Sequence, residues 1–548
     1  MANDEKMISS EDNNQPENIV GNRFFTRRGF ITGIVGGLAS LGLAGFAGYE
    51  LAHTGKDLSL TAADLNELAL ERVFVTRPDL NPPKITFTRF FSDESRVFET
   101  IGPRFIFVTP RTILQLFRQL GTDLVPKQVN SPLSQPGLMI LDGFGRLVYF
   151  KPLPNGNPFD LNVQIDMGQP RLTWWQGQIF NGHGLGVGKI ADSSYRTIDT
   201  IQAGNGLQED CHELTLTGNG TALISAYAET TTDLSIVGGS RRAKVYSGHV
   251  QEIDLSTGKV LFDWDSLKHV GVEESYEARP SSNNEPYDYF HVNSAKEAPD
   301  GNLLIGARNT WAVYKVDRLT GQVIWRLNGK KSDFTMGPGT NFFWQHDVRM
   351  PGKSIMTVYD DGSYPPQEKQ ARGLLLTVNT DTMHVTLKRE YLHPAGFLSA
   401  TQGSMELMPD GRVLVGWGNQ GYFTEFAPDG TMIFDAQFPP RVCSYRAFTH
   451  EWVGRPSELP SALVRVNSSG GSMVYVSWNG ATEVANWSVL AGKNRSSLQK
   501  VGSQQWTGFE TAIAVNTVGP YFCTVALDKH GEELGRSNVV KLDSSTVA

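Results

Sequence analysis

The chain has 548 residues, of which 40% are hydrophobic and 19% are charged, and its formal net charge is −8. This composition is typical of a globular protein and excludes a mostly disordered chain. The acidic balance argues against nucleic acid as a partner, because a nucleic-acid-binding face is basic. The length predicts several domains, or one large repeat domain with an additional smaller one.

Residues 1–50 are predicted to form a polar tail followed by an export or anchoring segment. Arg27 and Arg28 precede an uncharged, weakly hydrophobic stretch over residues 29–49, which is the pattern of a twin-arginine signal. Small residues at Gly45 and Ala47 fit a signal-peptidase site. The alternative is an uncleaved membrane anchor through residues 29–49, which are long enough to span a bilayer. Both interpretations place the rest of the chain outside the cytoplasm, in the periplasm or beyond.

After a connecting segment over residues 51–83, residues 84–455 repeat one pattern of short alternating strands and tight turns. Pro-Asp-Gly turns begin at Pro299, Pro409 and Pro428, each followed by a strand-like run. This turn chemistry predicts an all-β fold. Recurrence every ~40–60 residues is typical of a β-propeller. We predict a six-bladed β-propeller with blades at residues 84–153, 158–205, 208–265, 287–330, 342–393 and 398–440.

Two segments interrupt the predicted blades. Residues between Arg111 and Gly121 are a candidate for a short amphipathic helix inserted into the first blade. Residues 267–287 are predicted to be a long polar loop that enters the fourth blade.

Residues 456–548 are predicted to form a separate domain. Strand-like runs at 474–478, 486–489, 509–514 and 521–527, with a tryptophan of buried character, indicate an immunoglobulin-like or fibronectin-III-like β-sandwich. The chain has three cysteines, so one disulfide is possible after export and the third thiol would stay free. The spacing does not select a pair among Cys211, Cys443 and Cys523.

Three histidines occupy equivalent places in the repeat. His212, His291 and His346 each lie at the start of a predicted blade, and Arg308 follows His291 on the next strand. On propeller blades, such residues would all face one axial pocket. Imidazoles and a planar guanidinium suit a small anion such as sulfate. Asn293 lies two residues after His291, on the same strand face, and is a candidate for a further donor.

Other uses of these histidines have to be weighed. A single histidine in a strand usually has a structural role, and His183 and His450 are weaker candidates of that kind. Metal binding is the competing use of three histidines. It is disfavoured because the three come from different blades, because no carboxylate stands at a ligand offset, and because Arg308 would repel a cation. No metal and no cofactor is therefore predicted.

Five runs together resemble the bacterial and fungal arylsulfotransferase family, whose members use no nucleotide sulfate donor. The runs are Asp210–Thr217, Asp288–Ser294, Gly306–Asn309, Val323–Gly329 and Trp344–Val348. They occur in family order, and as a set they are specific. The resemblance is closest to the branch with an appended C-terminal sandwich.

The resemblance implies a ping-pong reaction between a small aryl sulfate donor and a phenolic acceptor. His346 would be the nucleophile and would carry the sulfuryl group as a sulfohistidine. Arg308 and His291 would bind the sulfuryl oxygens, and His212 would act as general acid and base. Among the aromatic residues near the motifs, Trp311 and Trp344 are candidates for stacking on the aryl ring.

Two other functions fit parts of the sequence. The first is a non-catalytic cell-surface propeller that binds a sulfated ligand or a protein partner. The second is a different propeller enzyme, such as a lactonase or a quinoprotein dehydrogenase, although the sequence has no clear metal or quinone site of those kinds.

The export signal predicts a specific effect of changing its arginines. Replacing both Arg27 and Arg28 with lysine should trap the precursor in the cytoplasm, because the twin-arginine route reads the arginine pair. Cell fractionation and immunoblotting measure the distribution. Unchanged export of the double variant would show that the segment is a general signal or an anchor.

Overall fold

The computed structural model describes residues 74–90, 104–112, 134–180, 182–282, 284–363, 365–468, 470–517 and 519–547. The predicted twin-arginine segment, with its alternative as an anchor, lies outside these residues. Within the described ranges, no helix is long and apolar enough to span a membrane.

The described chain is all-β, as predicted, with short 3₁₀ helices at Ser235–Val237, Ser266–Lys268, Val272–Glu274 and Gly418–Gln420. The first strands are β1 (Thr86–Arg89), β2 (Arg104–Val108), β3 (Arg111–Thr112), β4 (Gly137–Asp142), β5 (Leu147–Pro152), β6 (Asn157–Asp166), β7 (Gln169–Phe180), β8 (His183–Ala191) and β9 (Thr197–Ile201). They are followed by β10 (Glu209–Leu216), β11 (Thr221–Thr232), β12 (Ala243–Asp254), β13 (Val260–Asp265), β14 (Val292–Glu297), β15 (Leu303–Ala307), β16 (Ala312–Val316) and β17 (Val323–Leu327).

The remaining strands before residue 456 are β18 (Thr335–Met336), β19 (His346–Gly352), β20 (Ile355–Asp360), β21 (Arg372–Asn379), β22 (His384–Leu392), β23 (Ser404–Leu407), β24 (Val413–Gly416), β25 (Tyr422–Phe426), β26 (Met432–Gln437), β27 (Val442–Cys443) and β28 (Ala447–Glu451). The C-terminal strands are β29 (Ser461–Val466), β30 (Ser472–Ser477), β31 (Asn486–Gly492), β32 (Gln499–Gln505), β33 (Glu510–Val515), β34 (Tyr521–Leu527), β35 (Glu533–Arg536), β36 (Val540–Lys541) and β37 (Asp543–Val547).

Most of the described strands between β2 and β28 form six antiparallel meanders, of which five follow chain order and one begins with β28. Their hydrogen-bonded orders are β28-β2-β4-β5, β6-β7-β8-β9, β10-β11-β12-β13, β14-β15-β16-β17, β19-β20-β21-β22 and β23-β24-β25-β26. A single residue pair, Glu209 with Gly186, joins the second meander to the third. Hydrophobic clusters fill the spaces between neighbouring meanders, as sheets with one apolar face require.

Two expectations about the first predicted blade are wrong. Strand β1 pairs with β26 and so belongs to the sheet of residues 404–437, whereas β28, from residues 447–451, completes the sheet of β2. Arg111 and Thr112 do not begin a helix. They form β3, which pairs with Val442 and Cys443. Residues 113–121 of that predicted helix lie outside the described ranges. Both errors involve pairing partners more than 300 positions away, which local patterns do not reveal.

The segments predicted as C-terminal strands are strands. They form two sheets, β33-β30-β29-β37 and a second built on β32-β31-β34-β35. One hydrophobic cluster, with Trp487 at its centre, is shared by both sheets. The predicted sandwich domain contacts the meanders through Asn479, whose side chain makes hydrogen bonds to the backbone N–H and C=O of Phe150.

The cysteines in the described chain carry no disulfide. Cys211, Cys443 and Cys523 are all free and buried. Burial raises the pKa of the Cys211 and Cys443 thiols, which keeps them protonated and unreactive.

The first strands of the meanders contact one another in a cyclic order: β6, β10, β14, β19, β23, β28 and back to β6. At the centre of this ring lies the side chain of Arg446, which immediately precedes β28 and is fully buried. Its nitrogens lie 3.0 Å from Asp160 Oδ1 on β6 and 3.5 Å from Glu213 Oε2 on β10. It also donates to the Asn293 carbonyl on β14 at 2.9 Å and lies 3.5 Å from Asp347 Oδ1 on β19.

Because one guanidinium holds four strands, its removal should be costly. Arg446→Met should lower the free energy of unfolding by about 3–5 kcal/mol, since it leaves the buried Asp160 carboxylate without its ion-pair partner. Urea denaturation measures the loss. The matched control is Arg196→Met. Arg196 forms an ion pair with Asp192 at 3.3 Å, but its side chain is 76% exposed, so little change in stability is expected. Equal effects of the two variants would contradict the central role of Arg446.

Candidate active site

Each of the three predicted histidines has an aspartate on its Nδ1 atom. The Nδ1–Oδ2 distances are 2.5 Å for His212 and Asp210, 2.5 Å for His291 and Asp288, and 2.6 Å for His346 and Asp361. A carboxylate on Nδ1 fixes the ring orientation and favours the tautomer that leaves the lone pair on Nε2. The sequence analysis did not assign these aspartates.

The three histidines also share a local backbone irregularity. The pairing register shifts next to His212 in β10, next to His291 at the start of β14, and next to His346 in β19. Such bulges turn a side chain out of the regular alternation and are frequent beside active sites. His291 has a φ of 54°, a left-handed conformation that its surroundings must hold in place.

The structure brings the four predicted catalytic residues together. The His212 and His291 ring centroids are 4.8 Å apart. The Arg308 backbone N–H donates to the His291 carbonyl at 2.9 Å. Burial first, and then the charges of Arg308 and His212, hold the pKa of His346 well below its ordinary value. His346 is therefore a neutral imidazole at physiological pH.

A backbone contact decides the tautomer of His346. The Gln402 N–H donates to His346 Nε2 at 3.2 Å, so Nε2 carries the lone pair and Nδ1 carries the proton. Burial raises the pKa of Asp361, and the Arg308 charge acts in the opposite direction. The lone pair of this neutral imidazole therefore lies on the side of the ring away from Asp361.

The other two histidines differ in their surroundings. Burial lowers the pKa of His291 to about 4, with Asp288 opposing and His212 assisting the shift. Burial by itself would raise the pKa of the Asp210 carboxyl. The charge and the hydrogen bond of His212 act in the opposite direction, and the pKa is lowered to about 2. His183 also lies here, with Nε2 3.3 Å from Asp288 Oδ2.

Arg308 is 9% exposed, and its guanidinium is partly committed to the protein. It donates from Nη1 to Asn309 Oδ1 at 2.9 Å and from Nη2 to the Ala400 carbonyl at 3.2 Å. It lies 4.7 Å from the ring centroid of Trp344. Its Nε atom is buried and has no hydrogen-bond partner among the described residues.

The predicted aromatic residues adjoin this guanidinium. Trp344 meets Trp311 edge to face at 5.2 Å, and Trp311 stacks on Tyr276 at 3.6 Å with 8° between the planes. Tyr276 comes from the predicted 267–287 loop and is partly exposed. The series Arg308, Trp344, Trp311 and Tyr276 therefore leads from the buried guanidinium toward the surface.

Asn293 has a different environment from the one predicted. Its side chain is fully buried and donates to the Gln345 carbonyl at 2.6 Å, which links β14 to the segment before β19. Its carbonyl accepts from Arg446. These contacts give Asn293 a role in joining neighbouring meanders.

Metal binding has more support in the structure than in the sequence. The expectation that no carboxylate stands beside the histidines is wrong: ligand atoms of His183, Asp288 and His291, and of Asp210, Cys211 and His212, lie within 4.8 Å of one another. The shortest Nδ1–Oδ2 distances in these groups are 2.5 Å. Two ligands of one tetrahedral zinc are roughly 3.3 Å apart, so these contacts fit hydrogen bonds and not shared coordination.

Several residues of the site escaped sequence reasoning. Asp210 and Asp288 stand two and three positions before their histidines, inside motifs already singled out, and that offset was the available signal. Asp361 is joined to His346 only by the pairing of β19 with β20. Gln402 and Arg111 come from distant segments, and Arg111 Nη2 donates to Gln402 Oε1 at 2.6 Å. Tyr445 donates its hydroxyl to the His212 carbonyl.

Comparison with known proteins now defines the class. The family model described as arylsulfotransferase (ASST) matches residues 162–439, which is about half of the chain and includes all four pocket residues. The protein belongs to the arylsulfotransferase family. No curated protein matches the sequence.

Similar solved structures include a protein of unknown function from Bacteroides caccae, with 12% identity over 64% of this chain and 99% of that one and a TM-score of 0.37. A protein from Lactobacillus plantarum has 12% identity over 75% of this chain and 99% of that one, with a TM-score of 0.33. Quinohemoprotein alcohol dehydrogenase from Comamonas testosteroni has 12% identity over 62% of this chain and 60% of that one, with a TM-score of 0.27. Scores this low support no conclusion about this chain.

The low pKa of His346 predicts an unusual pH dependence for attack on a donor. An ordinary histidine loses its lone pair as the pH falls through about 6.5. The pKa of His346 is depressed, so it stays neutral there, and attack on an aryl sulfate with a good leaving group should persist below pH 6.5. Single-turnover release of the phenol between pH 8 and 5 measures this, with circular dichroism confirming the fold at each pH. A half-maximal rate near pH 6.5 would contradict the depressed pKa.

Proposed function

We propose that the protein transfers a sulfuryl group from an aryl sulfate ester to a phenol by a ping-pong mechanism through a sulfohistidine at His346. The observation that carries the proposal is the neutral His346, whose Nδ1 is bound to Asp361 and whose Nε2 carries the lone pair, with the Arg308 charge close by. Family membership supports the aryl sulfotransferase activity in general.

In the first half-reaction, the Nε2 lone pair attacks the sulfur of the donor. The S–N bond forms, the S–O bond to the aryl group breaks, and its electron pair leaves with the phenolate oxygen. The imidazole becomes formally positive as it takes the sulfuryl group. Asp361, 2.6 Å from Nδ1, stabilises that charge by a charge-assisted hydrogen bond.

The leaving phenolate needs a proton, and the acceptor phenol must later lose one. His212 is assigned both tasks, as general acid and then as general base. Asp210 on its Nδ1 would stabilise the protonated ring, in the way a carboxylate orients a catalytic imidazole. His291, beside it at 4.8 Å, is assigned to the sulfuryl oxygens together with Arg308.

The aryl groups of donor and acceptor are assigned to the aromatic series next to Arg308. Trp344 is nearly buried under the guanidinium, and Trp311 lies farther out against Tyr276. Aromatic rings bind one another by offset stacking or edge contacts. An aryl sulfate with its sulfate at Arg308 would place its ring against these tryptophans.

We also propose that the meanders of β2 to β28 are the six blades of a propeller and that residues 456–548 form a sandwich domain. The cyclic contacts of the first strands support the propeller, and the shared cluster of the two C-terminal sheets supports the sandwich. The pairing of β28 with β2 would close the ring by joining the two ends of the domain. The active face would lie outside the cytoplasm after export.

The mechanism predicts a covalent adduct. Incubation with an aryl sulfate and no acceptor should add the mass of one sulfuryl group, labile to acid, to His346, because the two-step transfer stores the group on nitrogen. His346→Asn should abolish the adduct and turnover, and Arg308→Lys should slow transfer by about 100-fold or more, since a point charge cannot replace the planar fork.

Intact-mass and peptide mass spectrometry measure the adduct. His384→Asn, at a half-buried histidine of strand β22 outside the pocket, is the matched control and should leave both adduct and turnover unchanged. An adduct on His212 or His291 would keep the reaction and reassign the roles. A wild-type protein that binds aryl sulfates without forming an adduct would favour the non-catalytic binding function.

A further inference from the structure

A second arginine lies beside the pocket, and neither the mechanism above nor the sequence motifs use it. Arg111 is in β3, which pairs with Val442 and Cys443 immediately before Tyr445 and Arg446. Tyr445 donates to the His212 carbonyl, so β3 lies one short segment from the histidine pocket. Arg111 is half-buried, and its Nε atom is buried without a hydrogen-bond partner in the described part of the chain.

Its guanidinium is held from two sides. It lies 4.1 Å from the ring centroid of Phe159, which in turn packs against Tyr445 at 5.0 Å. Its Nη2 atom donates to Gln402 Oε1 at 2.6 Å. Within the described residues no carboxylate makes an ion pair with it. A cation that is positioned this firmly without an anionic partner is a typical anion-binding group.

Gln402 connects this guanidinium to the nucleophile. The side chain of Gln402 accepts a hydrogen bond from Arg111. The backbone N–H of Gln402 donates to His346 Nε2 at 3.2 Å. Gln402 has a φ of 70° and is followed by Gly403 with a φ of 109°. A Cβ at Gly403 would meet the Tyr359 ring at 2.2 Å, so the backbone here is fixed by packing.

The chemistry of the transfer gives this arrangement a use. When sulfur bonds to Nε2, the lone pair is no longer available to the Gln402 N–H, and the sulfuryl oxygens arrive beside that N–H. Arg308 already donates from both Nη atoms to Asn309 and Ala400, so part of its hydrogen-bonding capacity is committed. Arg308 keeps three of its five N–H groups, but one planar guanidinium fork faces only two oxygens at a time, so the third sulfuryl oxygen needs a donor from elsewhere.

We propose that Arg111 and the Gln402 backbone N–H form a second anion-binding arm that holds the sulfuryl group on His346 together with Arg308. The identity of the anion rests on the proposed function. The arm also predicts that the resting site binds inorganic sulfate, because both guanidinium groups are in place before any substrate arrives.

The test measures sulfate binding as well as catalysis. Isothermal titration with sodium sulfate, on the full chain carrying His346→Asn so that no reaction is involved, should show binding that Arg111→Ala weakens about 10- to 100-fold, the range for hydrogen bonds to charged groups. In the chain with His346 intact, Arg111→Ala should slow adduct formation by a similar factor, and added guanidinium ion should restore part of the rate. Rescue of this kind is not expected of a residue that only packs against Phe159.

Arg104→Ala is the matched control. Arg104 is a half-buried arginine of strand β2 that contacts the Thr449 carbonyl at 3.5 Å, so its loss should leave sulfate binding unchanged. If the alanine variant does not fold, Arg111→Lys replaces it, because lysine retains the charge and lacks only the planar guanidinium. This variant should weaken sulfate binding by a smaller factor than Arg111→Ala. Sulfate binding by these Arg111 variants equal to that of the parent would overturn the inference. If the Arg111 variants bind sulfate more weakly but the chain with His346 intact forms no adduct, the anion-binding arm is retained and the transferase mechanism is rejected.

Discussion

The buried guanidinium of Arg446 is the interaction on which the rest of the structure depends. It bonds or lies close to acceptors on β6, β10, β14 and β19 while its own backbone leads into β28. Buried charges are expensive unless they are paired, so these strands are held at one spacing. Burial opposes ionisation of Glu213, but Lys296 and Arg446 outweigh it and lower the pKa of that carboxyl to about 2.

This fixed spacing also positions the residues of the candidate active site. The histidines lie on or next to the strands that Arg446 joins, beside shifts in the pairing register, and the rings of His212 and His291 meet at 4.8 Å. Each ring is then oriented by its own aspartate. A shift of one strand by a fraction of an ångström would separate His212 from His291 or break the Gln402 contact to His346.

The three aspartate–histidine pairs look alike, but their electrostatics differ. Burial and the charge of Arg308 lower the pKa of His346, so its ring stays neutral, as the proposed nucleophile requires. Asp210 is ionised beside His212, which suits a ring that gains and loses a proton. In the proposed mechanism the same pair of residue types therefore serves different tasks, and the neighbouring charges decide which. Arg111 and Arg308 are proposed to bind the anion, a task that is separate from orienting a ring.

The sequence by itself determined the all-β class, most of the meander boundaries, and the set of His212, His291, Arg308 and His346. Turn chemistry and alternation are local, and the motifs lie within single strands, so one-dimensional patterns contain this information. Only the tertiary structure decided that β1 leaves the sheet expected of it and joins that of β26, that β28 pairs with β2, that Arg111 is in a strand, and that Asp361, Gln402 and Arg446 belong to the centre of the molecule. Each of these depends on contacts between residues that are distant in the chain, where burial and charge pairing, and not local propensity, fix the outcome.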